Sequence, residues 1–350
     1  MTDKGLVLTG DRPTGPLHLG HFIGSLRKRV EYQEKGHPVF IIIADWQVLN
    51  EDPSRSRMIR SNIETIILDY LSVGIVPEKT NIFIQSQVPS ITILTEIFQQ
   101  ISPYSWVANN PTVKDEMQKY LERMGRTDAK VGKEERVFTV GFFAYPVSQA
   151  ADILFCRGEI VPVGKDQEPH INLARNIAGR FNDIYGELIF PKPECVVDAI
   201  TPRLPGLNGP DEKMSKSAGN AINLSDPIEE VWEKLKRAYT DPDKPLKGDS
   251  GHPDICPIFA YWNAFEPEWD NIRNIREGCE SGNLGCFDCK KRFFDRVLQP
   301  FFREIHERRK IADQTYDVWD IVRQGTLAAN QAGEVTMSLV REVMGINYPM

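Results

Sequence analysis

The 350-residue sequence predicts an α/β fold, a parallel sheet with crossover helices, followed by an all-α C-terminal region. Three observations predict it. Short apolar runs alternate with longer helical patterns through the first half, which is how strands joined by crossover helices read. One of those runs, residues 38–43, is apolar almost throughout, as a strand covered on both faces must be. Beyond residue 225 the alternation stops and the chain reads helical at 228–239, 258–265, 290–311, 318–329 and 334–344. That shift sets the expected organisation: a sheet domain over 1–205, a loop and linker over 206–224, a helical domain over 225–325, and C-terminal helices over 326–350 that can pack back on the first domain.

The first strand, Leu6-Val7-Leu8, runs into the stretch Thr9-Gly-Asp-Arg-Pro-Thr-Gly-Pro-Leu-His-Leu-Gly-His-Phe-Ile-Gly24, a Gly/Pro-rich turn that opens a helix. Pro16 is read at the first turn of that helix, where a missing N–H costs nothing. Gly10 and Gly15 let the main chain bend and approach a ligand closely. The helix N-terminus offers unpaired N–H groups to an anion. His18 and His21, three apart, share one face. The stretch is built to hold phosphates.

Strand 38–43 ends in Ala44-Asp45-Trp46-Gln47, at the sheet edge where open α/β folds bind ligands. There Gln47 is read as pocket-lining and Asp45 as structural. A helix at 59–71, a strand at 81–85 and a helix at 93–101 follow. Residues 102–137 break the alternation as a polar, partly helical excursion with a solvated face. A buried helix at 141–154 carries Pro146 at its first turn, then come a strand at 159–164 and a helix at 167–185. Prolines and glycines make 191–210 mostly loop.

The composition is globular, 41% hydrophobic and 26% charged. A net charge of −7 excludes a blanket electrostatic nucleic-acid binder but leaves room for local basic patches. No apolar run is long enough to span a membrane, and Met-Thr-Asp-Lys-Gly at the start has no apolar signal core, so a cytoplasmic location is expected. In that reducing setting six cysteines read as metal ligands or buried thiols rather than disulfides.

Three constellations carry chemistry. In Lys213-Met-Ser-Lys-Ser217, Lys213, Ser215 and Lys216 sit on a glycine-bearing loop that can swing onto a nucleotide's phosphates and stabilise charge on departing pyrophosphate. Tyr145, Gln149 and Asp152 recur at i, i+4 and i+7, so one helical face presents them together. An ionised Asp is acceptor-only and suits a ligand whose sole side-chain polar group is a donor, such as indole. Cys256, Cys279, Cys286 and Cys289 form C-x22-C-x6-C-x2-C. A zinc ribbon usually shows two C-x-x-C knuckles and this has one, whereas an iron–sulfur cubane accepts irregular spacing more readily. Cys156 and Cys195 lie outside the pattern. Lys290-Lys-Arg292 follows the last cysteine; such basic residues suit phosphate contacts, while Phe287, Phe293 and Phe294 among them read as a core stripe.

The context Thr-Gly-x-x-Pro-Thr-Gly-x-x-His-x-Gly-His, joined to the Lys-Met-Ser-Lys-Ser loop, resembles the HIGH and KMSKS signatures of class I aminoacyl-tRNA synthetases. Tyr145-Pro-Val-Ser-Gln-Ala-Ala-Asp-Ile153, Ile160-Val-Pro-Val-Gly-Lys-Asp-Gln167, Leu204-Pro-Gly-Leu207, Tyr239-Thr-Asp-Pro242 and Val343-Met-Gly345 extend a resemblance to bacterial tryptophanyl-tRNA synthetases over essentially the whole chain. The four cysteines are similar to those of the subset that carries a 4Fe–4S cluster beside the anticodon site, with zinc as the weaker alternative.

The resemblance implies a Rossmann-like catalytic domain, an all-α anticodon-binding domain and a homodimer. It implies a ligase that uses ATP with Mg2+, L-tryptophan and tRNA(Trp), with no membrane partner. By it Asp152 accepts the indole N–H. Tyr145, Gln149 and Gln167 hold the amino acid's polar end, and Leu8, Gln47, Ile153, Val161 and Val163 complete its pocket. Arg12, Thr14, His18, Gly20 and His21 take the triphosphate side of ATP, Gly164 and Asp166 its ribose, and Met214 its adenine. Lys290, Lys291 and Arg292 touch tRNA. Arg12 stands where the family often has Gln, and Lys165 where it usually has an acidic residue. Tyrosyl-tRNA synthetase is the close alternative, but it adds a first-strand tyrosine where this chain has Leu8. A non-catalytic or adenylate-forming paralogue is the more distant one.

Overall fold

A computed structural model describes residues 4–50, 53–123, 125, 138–197, 204–215 and 218–348. Its centre is a five-stranded sheet, all parallel, in the order β3-β2-β1-β4-β5. The strands are β1 (Val7–Asp11), β2 (Val39–Ile43), β3 (Thr80–Ile84), β4 (Ile160–Pro162) and β5 (Glu194–Val196). β2 is buried at every residue, as its unbroken apolar run predicts. Register pairs Val7 with Val39 and Asp11 with Ile43, so β1 and β2 end together.

Side chains alternate strictly between the two faces. Val7, Val39, Ile41 and Ile43 join one hydrophobic cluster; Leu8, Phe40 and Ile42 join the other. The first cluster continues without a break into the helical region, where Phe259, Trp262, Phe293 and Phe302 belong to it. The shift to all-helix near residue 225 is therefore not a boundary between cores.

Several elements differ from the sequence expectation. The first helix starts at Leu19 with His18 as its cap residue, so Pro16 lies ahead of it. Gly10 also has a packing reason to be small: a Cβ there would stand 2.2 Å from the Ile42 carbonyl oxygen of β2. The helix Val140–Leu154 is capped by the Thr139 hydroxyl, which accepts from the Phe142 N–H at 3.1 Å, and Pro146 falls inside the helix rather than at its first turn. β5 lies in the segment expected to be mostly loop; as a three-residue edge strand it tolerates the nearby prolines. Pro111–Arg123 and Trp269–Glu280 are helices.

The C-terminal region forms one 26-residue helix, Val318–Val343, where two were expected. It packs along β3. Its glycines mark close approach rather than a break. A Cβ on Gly325 would stand 2.0 Å from the Ile82 carbonyl oxygen, and one on Gly333 2.1 Å from the Ser90 hydroxyl. Among the described residues, no helix is long and apolar enough to cross a membrane.

Candidate active site and four-cysteine cavity

The chain builds β1, β2 and β3 outward, then crosses back to β4 and β5. The strand order reverses between β1 and β4, and ligands bind beyond the strand ends at such a point. A cavity of about 390 Å³ opens there. His18, Gly20 and His21 enter it from the turn and helix after β1, Asp152, Gln149 and Tyr145 from the helix Val140–Leu154, and Lys213 and Met214 from the loop after residue 204. Leu8, Arg12, Thr14, Gln47, Ile153, Val161, Val163, Gly164, Asp166 and Gln167 also line it. Ser215 does not; its N–H donates to Asn220 Oδ1 at 2.8 Å. Lys216 lies outside the described residues.

The signature turn is tightly held. The rings of His18 and His21 lie 3.8 Å apart, and the His18 N–H donates to Nδ1 of His21 at 3.1 Å. That bond makes Nδ1 the acceptor and leaves the His21 proton on Nε2. The Gly20 N–H meets the Met214 sulfur at 3.4 Å. The segment after the lysine loop is laced to the same turn, with the Leu19 N–H on the Ile222 carbonyl at 2.9 Å and the Leu224 N–H on the Leu17 carbonyl at 2.8 Å. Lys213 Nζ lies 3.4 Å from Asp166 Oδ2. Burial alone would raise the Asp166 carboxyl, but Lys213 and Gln167 outweigh it and hold it below the usual range.

Beneath the turn, Asp11, Arg29 and Tyr70 form a buried set. Asp11 Oδ2 accepts from Arg29 Nη1 at 2.7 Å and from the Tyr70 hydroxyl at 2.8 Å. Burial pushes the Asp11 carboxyl up, yet the arginine, His21 and these bonds bring it down to about 2.

Asp152 is 3% exposed and faces the cavity. Gln47 Nε2 donates to its Oδ2 and Gln85 Nε2 to its Oδ1, each at 2.7 Å. Desolvation dominates over these bonds and pushes the carboxyl up to about 7. Asp45 sits aside, its Oδ1 accepting from the Ser86 N–H at 3.0 Å, which is the structural role expected of it. At the other end, the Tyr145 hydroxyl donates to Glu116 Oε2 at 2.5 Å and lies 3.3 Å from His170 Nε2, while Gln149 Nε2 donates to Gln167 Oε1 at 3.2 Å. Burial drops the His170 ring to about 4, so it is neutral near pH 7.

Gln85, Glu116 and His170 escaped the sequence analysis. Gln85 stands directly after β3 as Gln47 stands near the end of β2, and strand-end position was the available signal. Glu116 lies in the excursion read as a solvated face, and no feature of that segment distinguished it.

The four cysteines line one small cavity with Asp241, His252 and Lys290. Cys256 precedes the helix Pro257–Phe265, Cys279 lies in Trp269–Glu280, and Cys286 and Cys289 lie in Cys286–Phe293. Among the described residues none of the four is in a disulfide. Burial raises each of them, Cys289 to about 12. Among the described residues no three of these sulfurs lie within 4.8 Å of one another. The ligand-type atoms that do come within 4.8 Å belong to Asp241, Asp243 and His252. Asp241 is already satisfied there, by the His252 ring and N–H and by the Asp243 N–H.

Two buried lysines flank the thiols. Lys290 donates to the Lys236 and Ala238 carbonyls and the Thr240 hydroxyl at 3.1, 2.7 and 2.9 Å. Lys244 donates to the Asp249 and Cys279 carbonyls. They are 5% and 3% exposed, and neither ammonium has a carboxylate partner among the described residues. Buried cations want an anionic neighbour, and a group held by four thiolates is one. The donor set fits such a group.

This burial corrects the expectation for Lys290, which turns inward and cannot meet RNA. Lys291 and Arg292 are exposed, Lys291 paired with Asp295. Phe293 and Phe294 are core residues as expected, but Phe287 is 61% exposed.

Residues 2–301 match the family of class I tRNA synthetases for tryptophan and tyrosine (W and Y). The chain belongs to that family. Within it the chain groups with the tryptophan enzymes. The tryptophan–tRNA ligase of Aquifex aeolicus is 35% identical over 97% of this chain and 99% of its own length. That of Streptococcus mutans is 40% identical over 99% of both. Among solved structures, the tryptophanyl-tRNA synthetase of Campylobacter jejuni, complexed with ADP and tryptophane, aligns with a TM-score of 0.77 at 27% identity, over 97% of this chain and 99% of that one. A tyrosyl-tRNA synthetase from Archaeoglobus fulgidus, 21% identical with a TM-score of 0.64 over 88% of this chain and 91% of that one, shares the fold.

Proposed function

We infer that the chain is a tryptophan–tRNA ligase. It joins L-tryptophan to ATP, releasing pyrophosphate, and passes the tryptophanyl group from the adenylate to the terminal ribose of tRNA(Trp). The observation that carries this reading is the single cavity into which the signature histidines, Lys213 and Asp152 all converge. The nucleophile is the substrate's own carboxylate, so the protein's task is placement and charge stabilisation. His18, Gly20, His21, Arg12 and Thr14 hold the triphosphate of Mg-ATP. Lys213, Ser215 and Lys216 close on the departing pyrophosphate. Gly164 and Asp166 take the ribose and Met214 the adenine. Asp152 accepts the indole N–H, Leu8, Ile153, Val161 and Val163 pack the rings, and Tyr145, Gln149 and Gln167 hold the ammonium and carboxylate end. Lys291 and Arg292 face tRNA, and the working unit is a homodimer. Tryptophan-dependent exchange of pyrophosphate into ATP tests the assignment; exchange driven by tyrosine instead, or by no amino acid, refutes it.

Cys256, Cys279, Cys286 and Cys289 hold a 4Fe–4S cluster in this reading, supported by their common cavity and the two buried lysines. Such a group supplies a rigid four-point staple and one-electron redox capacity. Anaerobically prepared protein is expected to be brown, with iron and acid-labile sulfide, and Cys286→Ser to lose both. A colourless protein loaded with zinc would overturn the assignment.

A further inference from the structure

Asp69 has no exposure at all, and its two oxygens serve two different parts of the molecule. Oδ2 accepts from the Leu17 N–H at 2.8 Å, one residue before His18. Oδ1 accepts from Arg309 Nη1 at 2.5 Å, and Arg309 belongs to the helix Gln299–Thr315 of the helical region. The helix that carries Asp69, Ile59–Ser72, is the platform of the whole turn. Its Asn62 Nδ2 holds the Pro13 carbonyl at 2.9 Å, and its Tyr70 hydroxyl holds Asp11.

A carboxylate this deep is stable only with a charge partner and filled lone pairs. Removing Arg309 takes a charge-assisted donor from Oδ1 and disturbs the carboxylate's setting. The Leu17 N–H donates to that same carboxylate, and a charged acceptor is roughly twice as strong as a neutral one. The turn presenting His18 and His21 is the first thing to loosen.

We propose that Arg309 is a positioning residue for adenylate formation: through Asp69 it fixes the Leu17–His18 peptide, and thereby the signature histidines, from the helical region. Neither Arg309 nor Asp69 lines the cavity, so neither touches substrate. The proposal rests on the ligase reading, and the two fail differently. Wild-type protein without tryptophan-dependent exchange sinks the reading; wild-type exchange with unaffected variants sinks the proposal.

The test is Arg309→Met alone and combined with Asp69→Asn, with unfolding curves beside exchange kinetics. R309M is expected to lower the exchange kcat about tenfold while the KM for tryptophan stays within about twofold. D69N/R309M removes the buried negative charge together with its arginine, keeps an acceptor for Leu17, and is expected to return kcat to within about threefold of wild type. A folded R309M with unchanged kcat overturns the proposal. So does a fall matched by an equal rise in tryptophan KM, or a folded double variant as slow as R309M. If R309M does not fold, the double variant decides in the same way: near-wild-type kcat supports the proposal, slow exchange in folded protein refutes it.

Discussion

Asp152→Ala is expected to lower kcat/KM for tryptophan activation by about a hundred- to a thousandfold, with the KM for ATP nearly unchanged. The alanine removes the indole acceptor and also strands the amides of Gln47 and Gln85, both now donating to Asp152. The loss should be much smaller for benzothienylalanine, which replaces the indole N–H by sulfur, so discrimination between the two amino acids falls in the variant. Equal losses for both would show that Asp152 merely shapes the pocket. The same residue sets a pH dependence. Its carboxyl, raised to about 7, must ionise to accept best, so kcat/KM for tryptophan should climb with pH through about 7. Stability runs the other way. Between an ordinary 3.8 and about 7 the folded chain keeps a proton that the unfolded chain has released, so stability falls as pH rises across that window and levels off above it. Asp152→Asn should flatten both profiles. Among the described residues Gln85 Oε1 is buried without a hydrogen-bond partner, and a flipped glutamine would offer it to the new amide.

His21→Asn is expected to slow activation by about a hundred- to a thousandfold while tryptophan affinity, read from fluorescence titration, stays within about twofold. Asparagine places an acceptor where Nδ1 accepts from the His18 N–H, so the turn survives, but it has nothing at the Nε2 position. Glutamine reverses the substitution's logic by offering a donor at the Nε2 position. His21→Gln should therefore keep much more of the rate than His21→Asn. If His21→Asn keeps the rate and His21→Gln does not, His21 acts by bracing the turn and not by donating to the triphosphate.

What could be read from the sequence was whatever repeats at a fixed spacing. The uniform apolar run of β2 announced a doubly covered strand, and the i, i+4, i+7 set placed Tyr145, Gln149 and Asp152 on one wall. The histidine and lysine motifs met because each is a contiguous string. What escaped depends on direction. Three consecutive basic residues on a helix point about 100° apart, so Lys290, three before the buried Phe293, faces the core while Lys291 and Arg292 face water. Gln85 matters through Asp152, which comes from a distant segment. Gly325 and Gly333 resemble a helix stop until the neighbours that occupy their empty side-chain space are known. Arg309 belonged to an ordinary basic run whose partner, Asp69, lies on the far side of the chain.

The long helix lying along β3 gives synthesis of this protein an order. β3 is an outer strand of the sheet and leaves the ribosome well before the helix Val318–Val343 that packs on it. At roughly 5–20 residues per second the strand waits on the order of tens of seconds. During that interval the nascent chain carries an apolar outer strand without its cover, the kind of edge that recruits other strands. The sheet is thus covered on this side only once that helix has been made.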